Sequence, residues 1–496
     1  MLSFRSFQIL FGSLTVAALA FAPPLVFAKE PAKTSVERVR VVIIGAGLSG
    51  LGTAYYLKQA GLSDFKILEI APNIGGRVQT ATYQLPGGET VSADSGMEEY
   101  WDSNPAVDVI KALKLDARED VAVSSIVLKN KLYPLLEDTQ ADFHAKVFTA
   151  SERAALKDFK ARIAPMIKPL KTGTPLLPAM QPLVDVSLGD WIKTQNLPEK
   201  VSEWLRVSLE CEIGTGWENI SAVDGLAELH IFLGEEGEKA HRINGGNARF
   251  TAAIADFVGR EKIKTGQRVT RLVSSKDRIT VSYRDLATNT IHKVEADFAV
   301  STIPLFRLFE MQFEPALSKK KAEAIASMSW GSYFKAHVLV RSEAASKFWA
   351  KSGDSTLPIL SDSSLGVIYD GNPDQEKAKS KILSLLITGG DAERFNLMPL
   401  DLVRSEITVA FDKLWPGLSS YIKDVEFFRY HPRAIAAWPP GRSRFDALSE
   451  AVRTPENRVI LAGDFTESSH SDGAFISARK ASDFILKTSG AFINGR

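Results

Sequence analysis

The chain has 496 residues, 45% of them hydrophobic and 24% charged, with 60 basic and 59 acidic side chains and a formal net charge of +1. That length implies two or three domains with substantial cores, and the composition is neither that of a disordered chain nor that of collagen. Balanced charge argues against an electrostatic nucleic-acid binder; the lone Cys211 excludes an intramolecular disulfide and any cysteine-ligated zinc or iron–sulfur site, and seven histidines without an H-E-x-x-H pattern argue against any metal site.

Residues 1–28 read as a secretory signal peptide. Arg5 supplies the positive start, an uncharged and mostly apolar stretch runs from Phe7 to about Ala22, and Pro23 and Pro24 break it. Val26-Phe27-Ala28 then suits cleavage after Ala28; the alternative is an uncleaved anchor, for which the stretch is only marginally long. No other segment reaches the ~20 apolar residues of a membrane helix, so no stable membrane span is expected in the mature chain. An export signal without disulfides predicts a secreted or periplasmic protein.

Arg38 to Ile44 is a β-branched run, the pattern of a buried parallel strand. It ends in Gly45-Ala46-Gly47-Leu48-Ser49-Gly50, a helix follows to about Ala60, and Phe65 to Leu68 forms a second strand closed by Glu69. This is the order of a dinucleotide-binding unit. Gly45 permits a tight turn, Gly47 lets a pyrophosphate approach the backbone, and Gly50 lets helix pack on strand. The helix N-terminus offers N–H groups and a partial positive charge, and Glu69 can accept hydrogen bonds from a ribose.

Asn73-Ile74-Gly75-Gly76-Arg77-Val78 follows at once. A second glycine-rich loop with an arginine behind the ribose-binding acid resembles the G-G-R motif of flavin-dependent amine oxidases, which makes FAD rather than NAD the expected cofactor. Arg77 is then expected to neutralise phosphate or to stabilise the flavin. The resemblance to this family extends along most of the chain. Asp94-Ser95-Gly96 stands where the family has an acid and small residues beneath the flavin ring. Gly245-Gly246 opens a helix, and Gln267-Arg268-Val269 is similar to the return to the FAD domain, which implies that Val269 contacts the adenine end. Phe313-Glu314-Pro315-Ala316-Leu317, a basic helix and then Gly331 to Lys335 match the approach to the family's active-site lysine, so Lys335 is the implied catalytic residue, holding a water against the flavin. Val459 to Asp464, then Gly473-Ala474 opening the last helix, are similar to the closing motif, in which Gly463 and Asp464 hold the ribityl-phosphate region.

The resemblance implies an α/β fold: a Rossmann-like FAD-binding domain with a discontinuous α+β substrate-binding domain. The FAD domain is expected at 37–110, 236–304 and 429–496, and the substrate domain at 111–235, mostly helical, and 305–428. The implied reaction is oxidation of a C–N bond of a small-molecule amine, with hydride transfer to flavin, an imine that hydrolyses to an aldehyde, and transfer of the electrons to molecular oxygen, giving hydrogen peroxide, or to another acceptor. For the substrate, Glu98 or Glu99 is expected to face the cavity and suit a second ammonium. Ala434 and His470 fall at the two aromatic-cage positions of monoamine oxidases; Ala434 cannot frame an amine, leaving Trp438 and His470 as candidate substrate contacts. No arginine for an amino-acid carboxylate stands out, with Arg433, Arg442 and Arg444 unplaced. The alternatives are a desaturase or isomerase of protoporphyrinogen-oxidase or carotenoid type on a larger apolar substrate, an L-amino-acid oxidase, and a protein that keeps FAD as a structural element.

Overall fold

The computed structural model describes residues 36–490 apart from 121–123, 137–139, 171–173, 234–238, 352–353 and 430, so the signal peptide expected at 1–28 lies outside the described residues. β1 (Glu37–Ile44) is exposed at its start and fully buried over its last four residues, as a parallel strand covered on both faces must be. It pairs in parallel with β2 (Phe65–Leu68) on one side and with β3 (Ile291–Ser301) on the other. Ile263–Lys264 continues the sheet beyond β2. The last residues of β3 pair in parallel with Val459–Leu461, while its earlier part begins an antiparallel run through Ile279–Asp285 and Gln267–Ser274. Three separated stretches of sequence therefore meet in one sheet.

α1 (Leu48–Gln59) is buried on nearly every side, which suits a helix wedged between this sheet and a second helix, α2 (Ser471–Thr488). The two helices lie close because their contact residues are small: the hydroxyls of Ser49 and Ser477 are 3.3 Å apart, and a Cβ on Gly52 would lie 3.1 Å from that of Ala478.

A second sheet runs in the order Ile422–Phe428, β4 (Tyr333–Arg341), β5 (Ser380–Thr388), Val367–Asp370, Ile359–Ser361, Ser125–Leu128 and Lys131–Tyr133. Residues alternate across β4. Phe334, Ala336, Val338 and Val340 enter an apolar core with Leu383, Leu385, Ile387 and Phe411. Leu339 faces the other way, against Val91 and Ala93, and Lys335 and His337 share its face. The helices Ala150–Ile167, Glu199–Ile213 and Ala222–Leu233 build a further core around Phe159, Trp204, Leu205 and Leu226. Helix Glu199–Ile213 stops at Gly214, in the left-handed region at φ +62°, where a Cβ would lie 2.6 Å from the ring of Tyr333. The end of that helix is thus pinned to the start of β4. Among the described residues no helix is long and apolar enough to cross a membrane.

Candidate active site

The first glycine loop is built by steric necessity. Gly45 has φ +106°, and a Cβ on Gly50 would stand 2.0 Å from the carbonyl oxygen of Gly45. Gly47 differs: a Cβ there would meet nothing nearer than Gly76 Cα at 3.9 Å. Gly47 is also the N-cap of α1 and supplies no side-chain acceptor, so the first turn, with Leu48, Ser49 and Gly50, opens without a side-chain cap. The N–H of Gly75 donates to Ala46 O at 2.8 Å, which holds the second glycine loop against the first. Glu69 is buried, and its carboxylate accepts the N–H groups of Ala46 at 2.7 Å and Ala71 at 2.8 Å. Its backbone oxygen accepts the N–H of Gln267 at 2.7 Å, which brings Val269, buried two residues further on, to the same end of the sheet.

Arg77 leaves the second loop and forks onto Asp464, with Nη1–Oδ2 at 2.7 Å and Nη2–Oδ1 at 2.8 Å; Nη1 also donates to Ala434 O. Gly463 precedes this aspartate in extended backbone. At the head of α2, Gly473 packs so closely that a Cβ would lie 2.3 Å from Ser468 O; Ala474 beside it is buried, and its N–H donates to His470 O.

Lys335 is fully buried. Its Nζ donates to Glu98 Oε1 and, at 3.0 Å, to Ser384 Oγ. The other oxygen of Glu98 accepts Arg242 Nη2 at 2.9 Å, and Ser384 Oγ donates to Oε1 at 2.7 Å. Burial alone would raise the Glu98 carboxyl, but Lys335 and Arg242 outweigh it and hold it below its ordinary range. Asp94, next in this cluster, accepts Thr80 Oγ1 at 2.6 Å and the N–H of Asn247 at 2.8 Å; burial, with the charge of Glu98 adding to it, pushes it up to about 6. His337 bridges Tyr83 and the backbone oxygen of Asp94, and burial lowers it to about 4.

A second charged cluster gathers at the head of α2. His470, the N-cap of α2, has Nε2 at 2.7 Å from Glu228 Oε2 and Nδ1 at 3.5 Å from Glu212 Oε1. Glu228 also accepts Arg444 Nη2, and Arg444 Nε donates to Asp224 at 2.7 Å. Burial disfavours the imidazolium, but Glu228 outweighs it and the His470 pKa is pushed up to about 10. Glu212 is the last acid of helix Glu199–Ile213; burial pushes it above the ordinary carboxylate range, and Tyr333 donates its hydroxyl to the Glu212 backbone oxygen.

The family model for flavin-containing amine oxidoreductases matches residues 48–486. The chain belongs to that family. Among its relatives are an L-amino-acid oxidase of Vipera ammodytes ammodytes, 24% identical over 90% of this chain and 92% of its own, and L-amino acid oxidase Bs29 of Bothriechis schlegelii, 25% identical over 90% and 89%. Similar solved structures include putrescine oxidase bound to putrescine, with a TM-score of 0.76 and 16% identity, and cyclohexylamine oxidase from Brevibacterium oxydans IH-35A, with 0.74 and 19%; each covers 91% of this chain and 99% of its own. The protein is an FAD-dependent amine oxidase, with a Rossmann-like FAD-binding fold carrying a substrate-binding part.

The residues of this amine oxidase fit its cofactor. An uncapped helix N-terminus behind a glycine turn, with open space over Gly47, suits a pyrophosphate. The Glu69 carboxylate keeps acceptor capacity beyond its two backbone bonds, as a ribose needs.

Several sequence expectations need correction at atomic level. Glu98 does not offer a carboxylate to substrate: both oxygens are spent on Lys335, Ser384 and Arg242. Trp438 is wholly buried in an apolar core, its indole N–H donated to Ser449 at 3.0 Å, and it presents no face to a ligand. Arg77 forks onto Asp464, and Lys335 is paired with Glu98. His470 lies at the site but inside a carboxylate cluster. Arg242, Ser384, Glu212, Glu228 and Asp224 carry no motif in the sequence; the partners that define them come from elements distant in the chain.

Proposed function

We propose that this protein oxidises a small-molecule amine rather than an amino acid, with molecular oxygen as the terminal acceptor. One observation carries the reading. Three arginines of the two charged clusters and the glycine loop are committed to the protein's own carboxylates: Arg77 to Asp464, Arg242 to Glu98, Arg444 to Asp224 and Glu228. No arginine of these clusters is left for a substrate carboxylate, whereas a free amine needs none.

FAD, when bound, supplies the acceptor for the hydride leaving the carbon beside the amine nitrogen. The chain's residues do the rest. Gly45, Ala46, Gly47, Leu48, Ser49 and Gly50, with Gly75 and Gly76, would cradle the pyrophosphate; Glu69 and Val269 would meet the adenosine end; Arg77, Gly463, Asp464, Gly473 and Ala474 would define the flavin end. Lys335, held by Glu98 and Ser384, keeps a buried cation at the base of the site and fixes β4 against the segment carrying Asp94 to Glu98. The substrate binds as the neutral amine, so no protein base is compulsory; the site positions it and excludes water. The expected leader at 1–28 would export the chain, giving a secreted or periplasmic enzyme.

A second reading, an L-amino-acid oxidase, is favoured by the names of the relatives at 24 and 25% identity. Peroxide release from the purified holoenzyme with matched amines and amino acids separates the two. Turnover of amines alone supports the first reading; turnover of amino acids alone replaces it with the second.

A further inference from the structure

Resting on the reading in which the two glycine loops cradle the pyrophosphate, we infer that Arg433 is a further cofactor-binding residue, whose guanidinium holds the diphosphate of FAD. Arg77, Arg242 and Arg444 each meet a carboxylate of the protein. Arg433 does not. It lies exposed in the turn that leads into Ile435–Ala437, and among the described residues no carboxylate pairs with it. Its guanidinium instead stands over the ring of Phe306, 5.1 Å from the centroid, and Trp330 fixes that ring edge-on at 5.0 Å. A guanidinium supported through its flat face keeps the N–H groups at its rim for an anion.

The place of Arg433 is set from three directions. β1, β3 and Val459–Leu461 run parallel and end at one edge of the sheet, and ligands of such sheets bind beyond the carboxyl ends. Just past the end of β3, Thr302 donates its hydroxyl to Ile44 O at 2.9 Å, beside the turn at Gly45, and Phe306 follows in the next turn of chain. From the second glycine loop, Arg77 Nη1 donates to the carbonyl of Ala434, the neighbour of Arg433. Past Val459–Leu461 stands Asp464, the partner of Arg77. Arg433 is therefore tied to the first glycine loop through Phe306 and to the second through Ala434. Gly76, Arg77 and Arg433 are all exposed.

Charge decides what Arg433 meets there. Arg77 and Asp464 cancel one another, and Glu69 adds a negative charge at the same edge. A diphosphate brings about two more, against which the N-terminus of α1 offers roughly half a positive charge. Arg433 supplies a full one, with a planar fork that suits phosphate oxygens.

The test measures binding of FAD to the full-length chain by quenching of flavin fluorescence, at low and high salt, for the wild type, Arg433→Ala and Arg433→Lys, with riboflavin as the probe that lacks phosphate. Arg433→Ala should raise the Kd for FAD on the order of tenfold and flatten its salt dependence, while leaving the Kd for riboflavin and the melting temperature of the apoprotein unchanged. Arg433→Lys should recover part of the loss. An unchanged Kd for FAD in Arg433→Ala, with Gly47→Ala still weakening FAD, overturns this inference and leaves the glycine cradle intact. Equal weakening of FAD and riboflavin also overturns it, because the contact is then to the flavin ring. If neither Arg433→Ala nor Gly47→Ala weakens FAD, the cradle falls and this inference with it.

Discussion

Arg77 and Asp464 lie 387 residues apart in sequence and meet in a two-point ion pair, at 2.7 and 2.8 Å. One follows the second glycine loop and the other follows the strand Val459–Leu461, so the pair clamps an early segment of the chain to a late one. Half-exposed Arg77 tempers its worth. Arg77→Ala should cost about 1–2 kcal/mol of stability and reduce retained FAD, read as the flavin-to-protein absorbance ratio after gel filtration. Arg77→Lys should rescue little, because an ammonium cannot make the two-point contact. Full FAD retention in Arg77→Ala would remove the clamp from the account.

The glycine loop makes a sharper distinction. Gly50 is required by the protein, whereas on the proposed reading Gly47 serves the cofactor. Gly50→Ala drives a Cβ onto the Gly45 carbonyl and should destabilise the apoprotein on the order of 3 kcal/mol. Gly47 has φ −82° and open space, so Gly47→Ala should leave the apoprotein melting temperature nearly unchanged while weakening FAD binding at least tenfold. Thermal melts with and without added FAD check both; an equal effect of the two substitutions on the apoprotein would contradict the assignment.

Lys335 is both a charge in the site and a strut of the fold. Lys335→Met leaves Glu98 with Arg242 and Ser384 alone and should cost about 3–5 kcal/mol, with part recovered in Lys335→Met/Glu98→Gln. The single variant should still hold FAD but slow one flavin half-reaction, measured by anaerobic reduction and by re-oxidation in stopped flow. Unchanged rates in both half-reactions would confine Lys335 to a structural role.

His470 should show no titration near the usual imidazole pH. Its folded pKa of about 10 lies above the unfolded value of 6.5, so its contribution to stability is complete below pH 6.5 and is lost as pH rises through 10. The groups facing it are Glu228, Glu212 and Asp472, with Arg444 behind Glu228. Glu228→Gln removes the strongest of these, so the stability advantage of the wild type over this variant should shrink between pH 6.5 and 10. A constant difference across that range would show that His470 is not the titrating group.

How much of this was legible in the sequence depends on the range of the constraint. The Gly45–Gly50 loop, Glu69 and the helix behind them are local: Gly45 and Gly50 are demanded by backbone geometry within a few residues, and the glycine spacing is readable in one dimension. Lys335 was legible only through the resemblance of the segment leading to it, since a lysine opening a strand by itself reads as a surface position. Its partner was not. Glu98 stands 237 residues away and looks like one of a pair of surface acids; only the approach of strand Thr90–Asp94 to β4 and β5 buries it. Glu212 and Glu228 were hidden for the same reason. They lie on helices whose other faces form the core around Trp204 and Leu226, and nothing in the helical period says that two acid-bearing faces converge on His470. Trp438 erred in the opposite direction, since an aromatic beside a turn near the cofactor reads as a ligand contact until Ser449 and Arg444 are seen to enclose it.

The most direct test of the central claim is an anaerobic titration of the purified holoenzyme, watching the oxidised flavin absorbance. Short aliphatic amines and diamines are added in one series, and L-amino acids of matched side-chain length in another. The committed arginines of the site predict that the amines bleach the flavin stoichiometrically and that the amino acids leave it oxidised. Bleaching by amino acids with no response to amines would contradict the account.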